Sequence, residues 1–113
     1  MTKRINIYKD AGGKLHAANQ NHPGVREQDM IDVLSSLALV EEDSKKKGIL
    51  LATGATSNAL PGYDVMTVVY ADNGQELFAI TAYPARTRQR REYLSHICRE
   101  DKEDLWPPVK PTT

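Results

Sequence analysis

The sequence predicts an α+β domain in which a small antiparallel sheet carries two helices, one from each half of the chain, packed on one side. Three observations favour this fold class. They are a strand-like N-terminal segment, an amphipathic helical segment after it, and a pair of β-rich segments that runs into a basic helical segment. The chain has 113 residues, of which 40% are apolar, and this suits one small hydrophobic core.

The first half of the chain predicts one strand and one helix. Residues 4–8, RINIY, alternate apolar and polar side chains as a short strand does, and residues 15–16 are expected to begin a return strand after a turn. Residues 22–24 predict a loop, because proline disfavours helical geometry in the residue before it. Residues 26–39 predict an amphipathic helix, since apolar residues recur at helical spacing: Met30, Val33, Leu34 and Leu37.

The second half predicts three antiparallel strands. Residues 49–53 form a short apolar run, and residues 64–70 are rich in valine, threonine and tyrosine, which favour strands. The turn-forming run 71–74 joins the latter segment to a partner strand at 76–83, as in a hairpin. Pro84 is expected to end that strand.

A second helix and a tail complete the predicted fold. Apolar residues stand four apart on one side from Arg86 to about Cys98, so this segment predicts a helix with Cys98 as a small core residue. Residues 1–99 then form one domain, and residues 100–113 form an acidic, proline-rich tail that is expected to be irregular. Four residues are expected to share one core: Leu34, Val68, Ile80 and Leu94.

Charge is clustered along the chain, although 15 basic and 15 acidic side chains cancel. Acidic residues gather at 41–43 and again at 100–104. Zero net charge argues against a protein that coats nucleic acid, but a local positive face is compatible with neutrality. The basic cluster directly follows the last predicted strand and consists of Arg86, Arg88, Arg90 and Arg91. Two interpretations of it stay open, a phosphate-binding surface and a solvated helix face.

The cellular setting follows from what the sequence lacks. Cys98 is the only cysteine, so no intrachain disulfide is expected and a reducing compartment is favoured. No apolar run approaches the roughly 20 residues of a membrane span, and the N-terminus has no apolar segment of a secretory signal. A cytoplasmic protein with no membrane partner is therefore expected.

Two histidines and the end of the last strand offer candidate chemistry. His16 and His22 precede the first predicted helix, and histidine suits proton transfer near neutral pH. No metal-ligand spacing and no glycine-rich phosphate loop occur, so neither a metal nor a cofactor is expected. Thr81 and Tyr83 share one face of their strand, and Arg86 follows at its end with the planar fork that binds phosphate. The alternative is that Thr81 and Tyr83 belong to a plain sheet face or the core, and that the histidines lie on the surface.

Two stretches resemble a known family. The segment NHPGVREQDMIDVLSS resembles the opening of BrnT-type ribonuclease toxins and of small bacterial and phage proteins related to them. The segment VMTVVYADNGQELFAITAYPARTRQRREY resembles their closing hairpin, in which a strand runs into a basic helix with a late tyrosine. Together the two stretches fall within residues 14–93. The chain departs from the toxins by lacking their aromatic start, by carrying tyrosine where they have serine-alanine-arginine, and by its acidic tail.

The resemblance implies the barnase–EndoU–colicin–RelE type of fold and cleavage of RNA without a metal, with the 2′-OH as the nucleophile. It implies catalytic roles at His22, with His16 nearby, and at the strand-end positions Thr81 and Tyr83, with Arg86 following. The implied RNA-binding residues are Arg86, Arg88, Arg90 and Arg91, and the implied partners are RNA and a cognate antitoxin protein.

Two functions are compatible with the sequence. The first is a small metal-independent endoribonuclease, the toxin of a toxin–antitoxin pair, and the histidines and arginines favour it. The second is a non-enzymatic phage or bacterial binding or inhibitor protein on the same fold, which the zero net charge and the acidic tail favour.

Overall fold

The computed structural model describes residues 3–9, 11–13, 15, 22–36 and 38–105, with side chains described as far as Cys98. The chain forms an α+β fold, as the sequence predicts. Its elements in order are β1 (Arg4–Ile7), α1 (Glu27–Ser35), β2 (Leu39–Glu42), β3 (Ile49–Ala55), β4 (Val65–Asp72), β5 (Glu76–Pro84) and α2 (Thr87–Leu105).

The five strands form one mixed sheet in the order β1-β5-β4-β3-β2. Strands β2 to β5 are antiparallel neighbours, but β1 runs parallel to β5, with Ile5 opposite Leu77 and Ile7 opposite Ala79. The prediction of a purely antiparallel sheet is therefore wrong at this edge. No tight turn joins β1 to β5, so no hairpin geometry imposes an antiparallel pairing on them.

The first helix is shorter than predicted, and a strand that the sequence did not predict, β2, begins at Leu39. The helix ends at Ser35, and Ser36 donates from its backbone N–H and its hydroxyl to the carbonyl of Val33. The chain then pairs with β3, so that Leu39 stands opposite Thr53 and Glu41 opposite Leu51. Only four residues long and half acidic, this edge strand carries a weak strand pattern.

The main core lies between α1 and one face of the sheet. Met30 and Val33 of α1 are fully buried and belong to one cluster with Ala52 of β3 and Val68 of β4. Gly54 of β3 allows the end of the helix to lie close, because a Cβ there would lie 3.1 Å from Ser36 Oγ and 3.5 Å from Val33 Cγ1. The α1 core therefore depends on close helix–sheet contact.

Helix α2 packs on the opposite face of the sheet. Met66, Val68 and Tyr70 belong to the α1 core, whereas Thr67, which alternates with them, bonds to Gln89 of α2. The prediction that both helices pack on one side is therefore wrong. Residues 65–68 of β4 are all buried, which is the burial pattern of a strand covered on both faces.

The sides of α2 differ from the prediction. Tyr93 is buried, but Leu94 is 38% exposed and Cys98 is exposed. The prediction that Leu94 and Cys98 belong to the core is therefore wrong. Two pairs of apolar residues stand four apart on this helix, Tyr93 with Ile97 and Leu94 with Cys98. Periodicity alone does not distinguish which pair faces the sheet. The helix also continues past Cys98 to Leu105.

The other predicted core residues lie on the sheet and α1. Val68 is fully buried as predicted, and Leu34 packs against the α1 core. Ile80 is half-buried and lies outside the α1 core, because the register shifts beside it: Val69 pairs with Thr81 and Tyr70 with Ala79. Such an extra residue in one strand is a β-bulge.

No helix in the described part of the chain is long and apolar enough to cross a membrane. The expected irregular tail lies, from residue 106 onward, outside the described residues, and residues 100–105 belong to α2.

Replacing Met30 by Ala should lower the free energy of unfolding by about 2–5 kcal/mol, because a fully buried side chain leaves a cavity. Leu94→Ala is the control and should cost less than about 1 kcal/mol, because Leu94 is partly in solvent. Urea denaturation at constant pH measures both. Equal losses for the two variants would contradict the assignment of the core to the α1 face.

Candidate functional site

Three of the predicted catalytic residues meet at the end of β5. Tyr83 lies beneath the Arg86 guanidinium, whose carbon is 5.0 Å from the centre of the tyrosine ring. The ring of His22 lies 6.4 Å from the same ring, tilted by 39°. His22 precedes strands β2 to β5 in the chain and Arg86 follows them, so the fold, and not chain proximity, places both beside Tyr83.

Gln89 of α2 holds this group in place. Its Nε2 donates to the Tyr83 hydroxyl at 3.1 Å, and its Oε1 accepts from the backbone N–H of Arg86 at 3.0 Å. The second bond is one half of a capping box, since Arg86 precedes the first residue of α2 and Gln89 is the third residue of that helix. One side chain therefore positions both Tyr83 and the start of the helix that follows Arg86.

Gln89 also ends a buried polar ladder across the sheet. Its Oε1 accepts a second hydrogen bond, of 3.1 Å, from Thr67, whose hydroxyl is 2.8 Å from that of Thr53. All three side chains are nearly or fully inaccessible to solvent. A buried hydroxyl or amide group without a hydrogen-bonding partner lowers the stability of the fold. Loss of any one of these side chains would therefore leave its neighbour unpaired and destabilise the arrangement.

His22 is presented by a tightly packed turn. The backbone N–H of Val25 donates to the carbonyl of His22 at 3.2 Å, and Asn58 Nδ2 donates to the carbonyl of Gly24 at 3.0 Å. A Cβ at Gly24 would lie 2.5 Å from Leu60 Cδ1 and 3.1 Å from the Tyr63 ring, so a larger residue here would require these two side chains to shift. The sequence motif around Pro23 thus has a structural role in addition to the predicted chemical one.

A buried carboxylate anchors that turn. Its place near the start of the predicted helix suits the positive end of the helix dipole, but the sequence does not reveal its burial or its contacts with the turn. Asp29 is fully buried and accepts from the Arg26 backbone N–H at 2.9 Å, from Arg26 Nη2 at 2.7 Å and from Asn58 Nδ2 at 2.8 Å. The hydrogen bond to Asp29 raises the pKa of the Arg26 guanidinium. The available signal is an acidic residue three positions after Arg26, the residue that precedes the helix, and this spacing is typical of helix capping.

The basic cluster is only partly available to a ligand. Arg88 pairs with Glu92 at 2.8 Å and with Glu41 of β2 at 3.3 Å. Arg90 binds Asp64 through two parallel hydrogen bonds of 2.9 Å. By contrast, Arg86 and Arg91 are exposed and have no ion pair among the described residues. Carboxylates therefore neutralise two of the four predicted RNA-binding arginines in the free protein.

Two predicted residues do not join the group. Thr81 is half-buried on the same face as Tyr83 and pairs in register with Val69, but within the described chain no hydrogen bond connects it to Tyr83 or Gln89. His16 lies outside the described residues. Among the residues whose positions are described, no three histidine, cysteine or carboxylate side chains are placed to hold a metal ion.

A separate shallow cavity of about 340 Å³ lies between β2 and α2. Its lining residues are Leu39, Arg91, Glu92, Ser95 and His96. It therefore lies at the β2 side of α2, whereas Tyr83 lies on β5.

No protein-family model matches this chain, and no curated protein is significantly similar to it. The likeness to BrnT-type toxins therefore stays a prediction from the two quoted segments. The group at the end of β5 is the remaining basis for assigning a function.

Replacing Asp64 by Asn should reduce the loss of stability in acid. Hydrogen bonds from Arg90 lower the pKa of the Asp64 carboxyl in the folded state. The ionised carboxylate therefore stabilises the fold above the unfolded pKa of about 3.9, and this contribution is lost as pH falls through the lower folded value. The effect should be small because both side chains are substantially exposed.

The measurement compares urea midpoints of wild type and Asp64→Asn at about pH 6 and at successive values below about pH 5. Arg90→Gln should reduce the acid sensitivity in the same way, and the double variant should add little. Superimposable acid profiles for wild type and Asp64→Asn would show that the pair contributes nothing to folding.

Proposed function

We propose that this chain is a small metal-independent endoribonuclease that cleaves RNA by attack of the 2′-OH on the adjacent phosphate. The observation that supports the proposal is the convergence of His22, Tyr83 and Arg86 at one corner of the sheet. The resemblance to BrnT-type toxins implies this chemistry for the three residues, and their proximity to one another in the fold is a separate observation.

The reaction needs a base for the 2′-OH, an acid for the leaving 5′-oxygen, and positive charge for the phosphorane. In the proposal, His22 takes one of the two proton-transfer roles. Arg86 supplies the charge: its guanidinium lies over the Tyr83 ring and has no ion pair among the described residues, and a guanidinium binds a phosphate through its N–H groups. Tyr83 supplies a hydrogen bond to the same phosphate, and Arg91, in the cavity at the β2 side of α2, is a second exposed cation on this helix.

The remaining parts of the proposal come from the resemblance. They are the role of a toxin restrained by a cognate antitoxin, a cytoplasmic location, a second proton-transfer group at His16, and a contribution from Thr81. Each of these is separable from the cleavage chemistry.

A second candidate function is a non-enzymatic binding or inhibitor protein. The ion pairs of Arg88 with Glu41 and of Arg90 with Asp64 favour it, because they reduce the positive charge that a polyanion would meet. The zero net charge of the chain favours this second function as well.

His22→Gln should lower the rate of RNA cleavage by about 10²–10⁴-fold, because glutamine keeps the size but cannot transfer a proton. Cleavage of a mixed-sequence RNA by the wild type should continue in EDTA and leave 2′,3′-cyclic phosphate ends. The matched control is His96→Gln, because His96 lies with Leu39 in the cavity on the β2 side of α2. This variant should cleave RNA at the wild-type rate.

Three outcomes would count against the assignment. Undiminished cleavage by a folded His22→Gln variant would remove His22 from the chemistry. Cleavage abolished by EDTA would indicate a metal mechanism. A folded wild type that cuts no RNA would leave the binding-protein function in its place.

Arg86→Gln and Arg91→Gln should weaken binding of single-stranded RNA more than Arg88→Gln and Arg90→Gln do. The first pair has no carboxylate partner in the described structure, whereas the second pair is neutralised. Removal of one phosphate contact should flatten the plot of log Kd against log salt by about 0.7. Fluorescence anisotropy across a salt series measures this. Equal slopes for all four variants would indicate a diffuse charge effect and no defined phosphate site.

A further inference from the structure

The backbone of Arg86 determines which way the Gln89 amide faces. A backbone N–H can only donate, so the Gln89 atom 3.0 Å from it must be the carbonyl oxygen, Oε1. The other end of the amide, Nε2, therefore faces the Tyr83 hydroxyl at 3.1 Å. The usual ambiguity between the oxygen and nitrogen of a glutamine side chain is removed at this position.

The same constraint orients the hydroxyl groups behind Gln89. Since Oε1 can only accept, Thr67 must donate its hydroxyl hydrogen to it. Thr67 Oγ1 then has only lone pairs left for Thr53, so Thr53 is the donor in the 2.8 Å contact between them. Every hydrogen bond from Thr53 to Gln89 thus runs in one direction.

At the other end, Nε2 of Gln89 donates to Tyr83, whose oxygen is therefore an acceptor in this contact. The hydroxyl hydrogen of Tyr83 has no acceptor within the described part of the chain. Tyr83 is half-buried, and its ring lies against the exposed Arg86 side chain and beside His22. Its hydroxyl hydrogen is therefore left for a group outside the described residues.

We propose that Gln89 is a positioning residue that makes Tyr83 a hydrogen-bond donor to a phosphate oxygen of bound single-stranded RNA. This inference rests on the proposed function, since it names the group that Tyr83 contacts in that site. Tyr83 and Arg86 then present only donors to the ligand, and such a pair selects an anionic oxygen.

A glutamate at position 89 reverses this arrangement at nearly constant volume. Its carboxylate can still accept from Thr67 and from the Arg86 backbone N–H, but it cannot donate to Tyr83. The Tyr83 hydroxyl then turns its hydrogen toward the carboxylate and offers only lone pairs to a phosphate. Gln89→Glu therefore removes the same ligand contact as Tyr83→Phe by another route.

The test measures binding of a single-stranded 2′-O-methyl RNA oligonucleotide, which cannot be cleaved by 2′-OH attack. Tyr83→Phe and Gln89→Glu should each weaken binding about tenfold, as expected for one hydrogen bond to a charged group. The double variant should bind little worse than either single variant, because both remove one shared contact. Gln75→Glu, in the exposed turn before β5, adds the same charge away from Tyr83 and should bind as the wild type does.

Strictly additive losses would overturn the inference, because the effect of Gln89→Glu would then be charge repulsion independent of the Tyr83 hydroxyl. Wild-type affinity in folded Tyr83→Phe, or no binding of the oligonucleotide by the wild type, would overturn it as well.

If Gln89→Glu does not fold, the NMR signals of the Gln89 side-chain amide provide the test. One amide hydrogen should be protected from exchange in the wild type and lose that protection in Tyr83→Phe, and equal exchange in the two proteins would contradict the arrangement.

Cleavage is assayed separately with the unmodified oligonucleotide. A wild type that binds and obeys the predicted non-additivity, but does not cleave, would contradict the nuclease function and leave the role of Gln89 intact.

Discussion

The Gln89 side chain is the contact on which the arrangement of the site depends. It lies almost fully buried between β4 and α2 and has three hydrogen-bonding partners, on β4, on β5 and at the residue that precedes α2. A buried amide without one of these partners would lose the stabilising effect of a satisfied network. The position of α2 on the sheet and the orientation of Tyr83 are consequently coupled, so that a change in packing at this interface is also a change at the candidate site.

A second buried group performs the corresponding task for His22. Asp29 caps α1 and binds Asn58, which in turn bonds to the carbonyl of Gly24 in the turn that presents the histidine. The two networks lie on opposite faces of the sheet and contribute different side chains to one corner, at the end of β5. Buried polar contacts therefore orient the side chains of the candidate site, although the domain has only a small core. The apolar core between α1 and the sheet supports both networks.

Several features were within reach of sequence reasoning, and the residues show why others were not. Helix α1, the β4–β5 hairpin and the start of α2 follow from strong local signals, namely periodicity, β-branched residues and a turn. Strand β2 was missed because a short, acidic edge strand has little local pattern, and the parallel pairing of β1 depends on contacts distant in sequence. The choice of His22, Tyr83 and Arg86 was possible from residue type and position together with the resemblance to BrnT-type toxins. The capping bonds of Asp29 and Gln89 are local and within reach of sequence reasoning, but the bonds of Asn58 to Gly24 and of Gln89 to Thr67 are not, because only the tertiary fold brings these residues near.

The central claim is that the corner formed by His22, Tyr83 and Arg86 binds the RNA phosphate. The most direct measurement is an NMR titration of the protein with an uncleavable single-stranded 2′-O-methyl RNA oligonucleotide. We expect the first and largest shifts at the backbone amides of residues 22–24 and 83–89 and at the Gln89 side-chain amide. Shifts confined to the cavity around Leu39 and His96, or no shifts at low salt, would contradict the claim.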